Sequence, residues 1–128
     1  MTSILSMRDT TFDVTAFMQA IEGGDAGLQA HFYADDARLR VVDPDNPPSR
    51  PLILIGRSAI HDWISEGLTR TISHRVTSCT TGQGRLAITE EEQYRDGGSL
   101  FSALMAEISD HRISRQTVLQ IWDWPGGY

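Results

Sequence analysis

The sequence contains no lysine, so all eleven of its basic residues are arginine. Schiff-base chemistry through a lysine amine is thereby excluded. It has a single cysteine, Cys79, so no disulfide can form within the chain, which fits a reducing cytoplasm. No run of about 18 or more apolar residues occurs, and no membrane span is expected. The start, MTSILSMRDT, lacks a basic segment followed by a long apolar stretch, so no secretory signal is expected either. Positive charge is scarce: 17 acids against 11 arginines leave a net charge of −6. A phosphate backbone requires a basic footprint that this chain does not have, and nucleic acid is not expected as a partner. No glycine-rich phosphate loop follows a strand, since GQG and DGG are hairpin turns. His31, His61, His74 and His111 show no paired ligand spacing, so no metal and no other cofactor is expected.

What is present suits one domain over residues 11–128, with residues 1–10 as a loose lead-in. Phe12, Ala16, Phe17, Ala20 and Ile21 recur at helical spacing, with Thr11 as N-cap and Asp13 in the first turn. Gly23 and Gly24 end that helix. Asp25 caps a short second helix that turns Leu28, Phe32 and His31 inward. Asp35 and Asp36 then look like a turn ahead of a strand from Ala37 to Asp43. Four prolines within the nine residues DPDNPPSRP exclude a central strand there, and LILIG forms a brief strand after it. A third helix spans Arg57–Thr69, with Ser58 as N-cap and Ile60, Trp63, Ile64 and Leu68 as its apolar stripe. Four long strands follow, near 71–80, 86–95, 99–108 and 113–124, separated by short Gly- and Asp-containing turns that signal antiparallel hairpins.

Helices gathered early and strands gathered late indicate an α+β fold. A curved antiparallel sheet wrapped around about three N-terminal helices makes a cone, and its open end is a natural, mostly apolar ligand cavity. Tyr33, Trp63, Tyr94, Phe101 and Trp122 are the aromatics expected to line it. Val118, Trp122 and Trp124 alternate with Leu119 and Ile121 on the last strand. The helices can cover only one of these two apolar faces, so a homodimer through the sheet is expected.

Three stretches carry a family resemblance. AIEGGDAGLQAHFYADDARLRVVDP resembles the opening of nuclear-transport-factor-2-like proteins, GRSAIHDWI their third-helix entry, and SHRV with EEQYRDGG their central hairpin. The resemblance spans roughly residues 11–124. That superfamily includes SnoaL-like cyclases, ketosteroid isomerases, scytalone-type dehydratases, limonene epoxide hydrolases and proteins without chemistry. It implies a cystatin-like α+β roll, and it leaves the activity open.

Four acid/base candidates follow. In ketosteroid isomerase a similar YADDA stretch leads to an Asp-Pro whose Asp is the general base, which here is Asp43. The two additional residues before it preserve its face of the strand, because side chains alternate with period two. That enzyme's oxyanion donors have no match: Phe17 stands where a tyrosine is needed, and no acid aligns near Leu104 and Met105. The alternative for Asp43 is an Asx turn before Pro44. His74 shares an apolar face with Ile72 and Val76, and in scytalone-type members a histidine at a similar point faces the cavity, paired with a first-helix acid for which Glu22 is the nearest match. Its alternative role is that of a hydrogen-bonded core histidine. Glu90 and Glu92 share a face with Leu86 and Ile88 and could form a carboxylate pair. Because surface acids far outnumber buried ones, the run Glu90-Glu91-Glu92 is expected to be exposed and paired with arginines such as Arg115. SnoaL-like cyclases resemble this chain in a late acid, here Asp123, expected to be exposed near the chain end. Cys79 is expected to be structural.

The expected function is cofactor-free acid/base chemistry (isomerase, cyclase or dehydratase) on a small hydrophobic carbonyl- or hydroxyl-bearing molecule, with Asp43 and His74 as the catalytic residues. The alternatives are a non-catalytic hydrophobic-ligand-binding module and a dimerisation module of the same fold.

Overall fold

The computed structural model describes residues 12–124, so the lead-in and Thr11 lie outside the described residues. Helix α1 spans Val14–Glu22, α2 Ala26–His31 and α3 Arg57–Leu68. The strands are β1 Tyr33–Val42, β2 Leu52–Ile55, β3 Thr71–Gly82, β4 Arg85–Tyr94, β5 Ser99–Ser109 and β6 Arg112–Asp123. They form one curved, unclosed sheet in the order β2-β1-β6-β5-β4-β3. The four late strands make the expected antiparallel meander, but β1 lies parallel to β6, so the sheet is mixed rather than wholly antiparallel.

The caps are shifted from expectation. Asp13 is the N-cap of α1, accepting from the backbone of Ala16, and Asp25 caps α2 through Leu28 as expected. The N-cap of α3 is Gly56, not Ser58, and no side chain caps that end. Gly56 has φ 98°, a conformation glycine adopts without a Cβ penalty, and its N–H donates to the carbonyl of Ala37. Arg57 donates from Nε and Nη2 to the carbonyl of Tyr33 at 3.0 and 2.9 Å and pairs with Asp35 at 2.7 Å. These bonds tie α3 to the start of β1. There the register with β6 shifts between Tyr33 and Arg38. Residues 34–37 are therefore strand rather than turn. Their acids face solvent because this stretch lies in the irregular part of the ladder.

The core sits between α1, α3 and the concave face of the sheet. Phe17, Leu39, Ile60 and Ile113 are fully buried. Phe12, Phe17, Phe32 and Tyr33 stack edge to face, Phe17 and Phe32 at a 5.3 Å ring separation. Leu28 and His31, expected inward, are exposed. Helix α2 has only six residues, and Ala30 with the following Phe32 supplies its buried contact. Among the described residues no helix is long and apolar enough to cross a membrane.

Candidate functional site

Strand alternation decides which side chains reach the concave face. On β4 the inward residues are Leu86, Ile88, Glu90 and Glu92, and on β6 they are Gln116, Val118, Gln120 and Trp122. Leu86 and Ile88 pack into the core, while Glu90, Glu92, Gln116, Val118, Gln120 and Trp122 line a cavity of about 330 Å³. Across the β3–β4 ladder His74 stands directly opposite Glu92, and Val76 opposite Glu90. His74 therefore points at two carboxylates at once.

The geometry of this trio is close. His74 Nδ1 lies 3.6 Å from Glu90 Oε2 and 3.5 Å from Glu92 Oε1. Its Nε2 is 2.8 Å from Thr71 Oγ1, and the Thr71 hydroxyl also reaches the carbonyl of Leu68 at 3.5 Å. With the Thr71 proton on that carbonyl, the hydroxyl accepts from Nε2–H, and protonation of the ring to imidazolium places the second N–H, on Nδ1, beside the two carboxylates. Glu90 is buried, and its Oε2 has no hydrogen-bond partner. The candidate ligating atoms of His74, Glu90 and Glu92 lie within 4.8 Å of one another, the only such trio among the described residues, so one cation, inorganic or organic, can be shared between them.

Burial works against the His74 imidazolium, but the neighbouring carboxylates of Glu90 and Glu92 outweigh it, and its pKa lies above the usual 6.5. Burial first, then the charge of Glu90, pushes Glu92 up to about 7, with His74 pulling the other way. Tyr33 is fully buried. Its hydroxyl donates to Gln116 Oε1 at 2.6 Å, and burial raises its pKa so that the phenol stays neutral.

Asp43 follows directly on β1, forms an isolated bridge with Asn46 and lines the cavity. Its Oδ1 accepts from the backbone of Asp45 and Asn46 and from the Asn46 amide at 2.9, 2.8 and 3.0 Å. It is both an Asx-turn residue and a cavity residue. Tyr33, Trp63 and Trp122 also line the cavity. Tyr94 instead borders a shallower groove beside it, where its hydroxyl accepts from Trp122 Nε1 at 2.8 Å and its ring stacks on Trp124 at 5.6 Å. Phe101 is on the outer face, 42% exposed, because the inward side of β5 belongs to Leu100, Ser102 and Leu104.

The cavity lining is mixed rather than mostly apolar. Within the glutamate run only Glu91 is an outward-facing ion-pair residue, held by Arg75 at 2.7 Å. Arg115 is opposite Glu107, two strands from Glu90. Glu22 does not enter the cavity; it accepts from the backbone of Val76 at 2.9 Å. Asp123 is exposed on the outer face, as expected. Cys79 is partly buried, and desolvation raises its thiol pKa, which suits a structural role. Sequence reasoning saw the shared face of Glu90 and Glu92 but not their burial, and it missed Thr71 and Gln116 altogether.

No family model and no curated protein matches the chain. Solved structures do. An NTF2-like protein of unknown function from Burkholderia xenovorans superposes with a TM-score of 0.72 at 17% identity, covering 88% of this chain and 84% of the other. A candidate ketosteroid isomerase from Kribbella flavida gives 0.67 at 16% identity, covering 89% and 78%. A candidate isomerase from Rhodopseudomonas palustris gives 0.63 at 12% identity, covering 83% and 84%. The chain has the fold of the NTF2-like, ketosteroid-isomerase-like proteins.

Proposed function

We propose that the protein is a cofactor-free acid/base enzyme, an isomerase, cyclase or dehydratase, acting in the cytoplasm on a small hydrophobic molecule that bears a carbonyl or hydroxyl group. One observation carries this reading: His74 and Glu92, cross-strand neighbours 3.5 Å apart, open side by side onto one cavity, with the His74 pKa raised and that of Glu92 pushed up to about 7. A carboxyl poised near neutrality, as Glu92 is, can take a proton and return it with little penalty at either step. In this reading Glu92 removes a proton from carbon. The imidazolium of His74 stabilises or protonates the oxygen, and Asp43 serves as a second carboxylate at the cavity wall. Thr71 holds the imidazole in orientation. His74 takes over the electrophilic role that the missing oxyanion donors leave open, since Phe17 is buried in the core and no acid lies at Leu104.

The test is hydrogen–deuterium exchange at carbon. A panel of cyclic enones and β-hydroxy ketones is incubated with the protein in D₂O and followed by mass spectrometry. Exchange above buffer that is lost in both His74→Gln and Glu92→Gln is the expected result. Exchange equal in wild type and variants would leave the chain as a hydrophobic-ligand-binding module without chemistry.

We further propose a homodimer through the outer face of the sheet. Phe101, Met105, Leu119 and Ile121 form an exposed apolar set on the adjacent strands β5 and β6. Arg38, Arg40 and Arg115 lie at one end of that set, with Glu107 opposite Arg115, and Asp123 lies at the other, so a two-fold copy can lay the arginine-rich end over Asp123 while covering the apolar centre.

A further inference from the structure

The cavity is rich in acid for its size. Asp43, Asp45, Glu66, Glu90 and Glu92 line it, against Arg70 and His74 alone. Glu66 and Arg70 pair with each other at 3.5 Å, which leaves Glu90 and Glu92 beside the His74 imidazole and Asp43 and Asp45 elsewhere on the cavity lining. Glu90 is 8% exposed, and its Oε2 accepts no hydrogen bond. A buried acceptor without a donor is costly in the free protein, and a ligand that brings a charged donor removes that cost on binding. Low-dielectric walls concentrate the negative potential at the same place. Two indoles, Trp63 and Trp122, stand in the wall and suit a cation that carries an apolar body.

We propose that the small molecule this cavity takes carries a protonated amine, seated on Glu90 and Glu92, with its hydrocarbon body against Trp63 and Trp122. The inference rests on the acid/base reading only for the assumption that this cavity is where the substrate sits. It adds the charge of that substrate. The ammonium N–H donates to the open Glu90 oxygen and shares the carboxylate pair with His74. Carboxylate-bearing ligands are repelled, and neutral ones gain only the apolar contact.

The experiment compares three ligands with one ring and three head groups: cyclohexylmethylamine, cyclohexylmethanol and cyclohexanecarboxylate. Each is titrated into the full chain at neutral pH by isothermal calorimetry. The amine should bind at least about tenfold more tightly than the alcohol, and the carboxylate most weakly of the three. Glu90→Gln and Glu92→Gln should each weaken the amine by about tenfold while leaving the alcohol unchanged, which also shows that the variants are folded. An alcohol that binds as tightly as the amine, or an amine indifferent to both glutamine variants, overturns the proposal. His74→Gln separates the two readings. Removal of the competing imidazolium should strengthen amine binding, whereas the acid/base reading requires the same variant to lose deuterium exchange. Intact exchange with carboxylate-dependent amine binding would sink the acid/base reading and leave this one standing.

Discussion

His74 stands between Glu90 and Glu92, its Nδ1 3.6 Å from one carboxylate and 3.5 Å from the other, while Thr71 holds Nε2 at 2.8 Å. The contact with Thr71 is a hydrogen bond, whereas the two carboxylate spacings are long for hydrogen bonds and short enough for strong charge coupling. The pairing has a pH signature in stability. Glu92 titrates at about 7 in the fold against 4.5 in a free side chain, so the folded state holds its proton more tightly. The resulting stabilisation is complete below about pH 4.5 and lost as pH rises through about 7. His74, raised from 6.5, acts in the same direction, with stabilisation complete below 6.5 and lost as pH rises through its folded value. The unfolding midpoint should therefore fall as pH rises across this window. Glu92→Gln cannot ionise and should remove a pH-dependent part of about 1–3 kcal/mol, read by calorimetry from about pH 4 to 9. A variant with the wild-type slope would place the proton elsewhere.

Asp43 combines a turn role and a site role, and two substitutions separate them. Asp43→Asn keeps an oxygen that can accept the bonds from Asp45 and Asn46, so its stability should match wild type within about 0.5 kcal/mol. Asp43→Ala loses all three bonds and should cost about 1–2 kcal/mol. Loss of deuterium exchange in the stable Asn variant would mark the carboxylate charge as part of the chemistry. Full exchange in Asp43→Asn would reduce the residue to a turn-former.

Tyr33 and Gln116 close the inner end of the cavity with a buried hydrogen bond of 2.6 Å. Tyr33→Phe leaves the Gln116 oxygen without its donor at a position 6% exposed and should destabilise the fold by about 1–3 kcal/mol. The exchange chemistry of His74 and Glu92 should persist at temperatures where the variant stays folded, because the phenol is neutral throughout and already engaged. A variant as stable as wild type would show that water replaces the phenol at Gln116.

Much of this architecture is legible in the sequence because it is local. The meander follows from alternation and from short turns, each joining strands that are neighbours in the chain. The parallel pairing of β1 with β6 matches Tyr33 with Ile113, across most of the chain, and nothing near either residue announces it. The Asp35-Asp36 pair reads as a turn for the same reason, since only the docking of Arg57 reveals an irregular strand. The site divides similarly. Period-two alternation places Glu90 and Glu92 on one face, but their burial depends on what packs over that face. Surface acids are so common that burial is the poorer guess from sequence alone. Phe101 fails for a related reason. On β5 both faces are apolar, Leu100 and Leu104 on one and Phe101 and Met105 on the other, and alternation gives no sign of which turns inward.

That second apolar face should bring two copies of the chain together. Phe101 and Ile121 are cross-strand partners, 42% and 53% exposed, with Leu119 and Met105 beside them. Apolar surface of this kind contributes roughly 25 cal/mol per Å² when it is removed from water. Light scattering should therefore give twice the 14.2 kDa chain mass at micromolar concentration. Ile121→Glu should give the single-chain mass with unchanged circular dichroism, because a carboxylate on an exposed strand face costs the monomer little. Raising the salt concentration tests the charge arrangement separately. If Arg38, Arg40 and Arg115 lie over acids of the second copy, screening weakens the dimer, whereas an interface held by apolar contact alone is indifferent to salt or strengthened by it. A single-chain mass for the wild type, or an undiminished dimer in Ile121→Glu, would show that this face has another use.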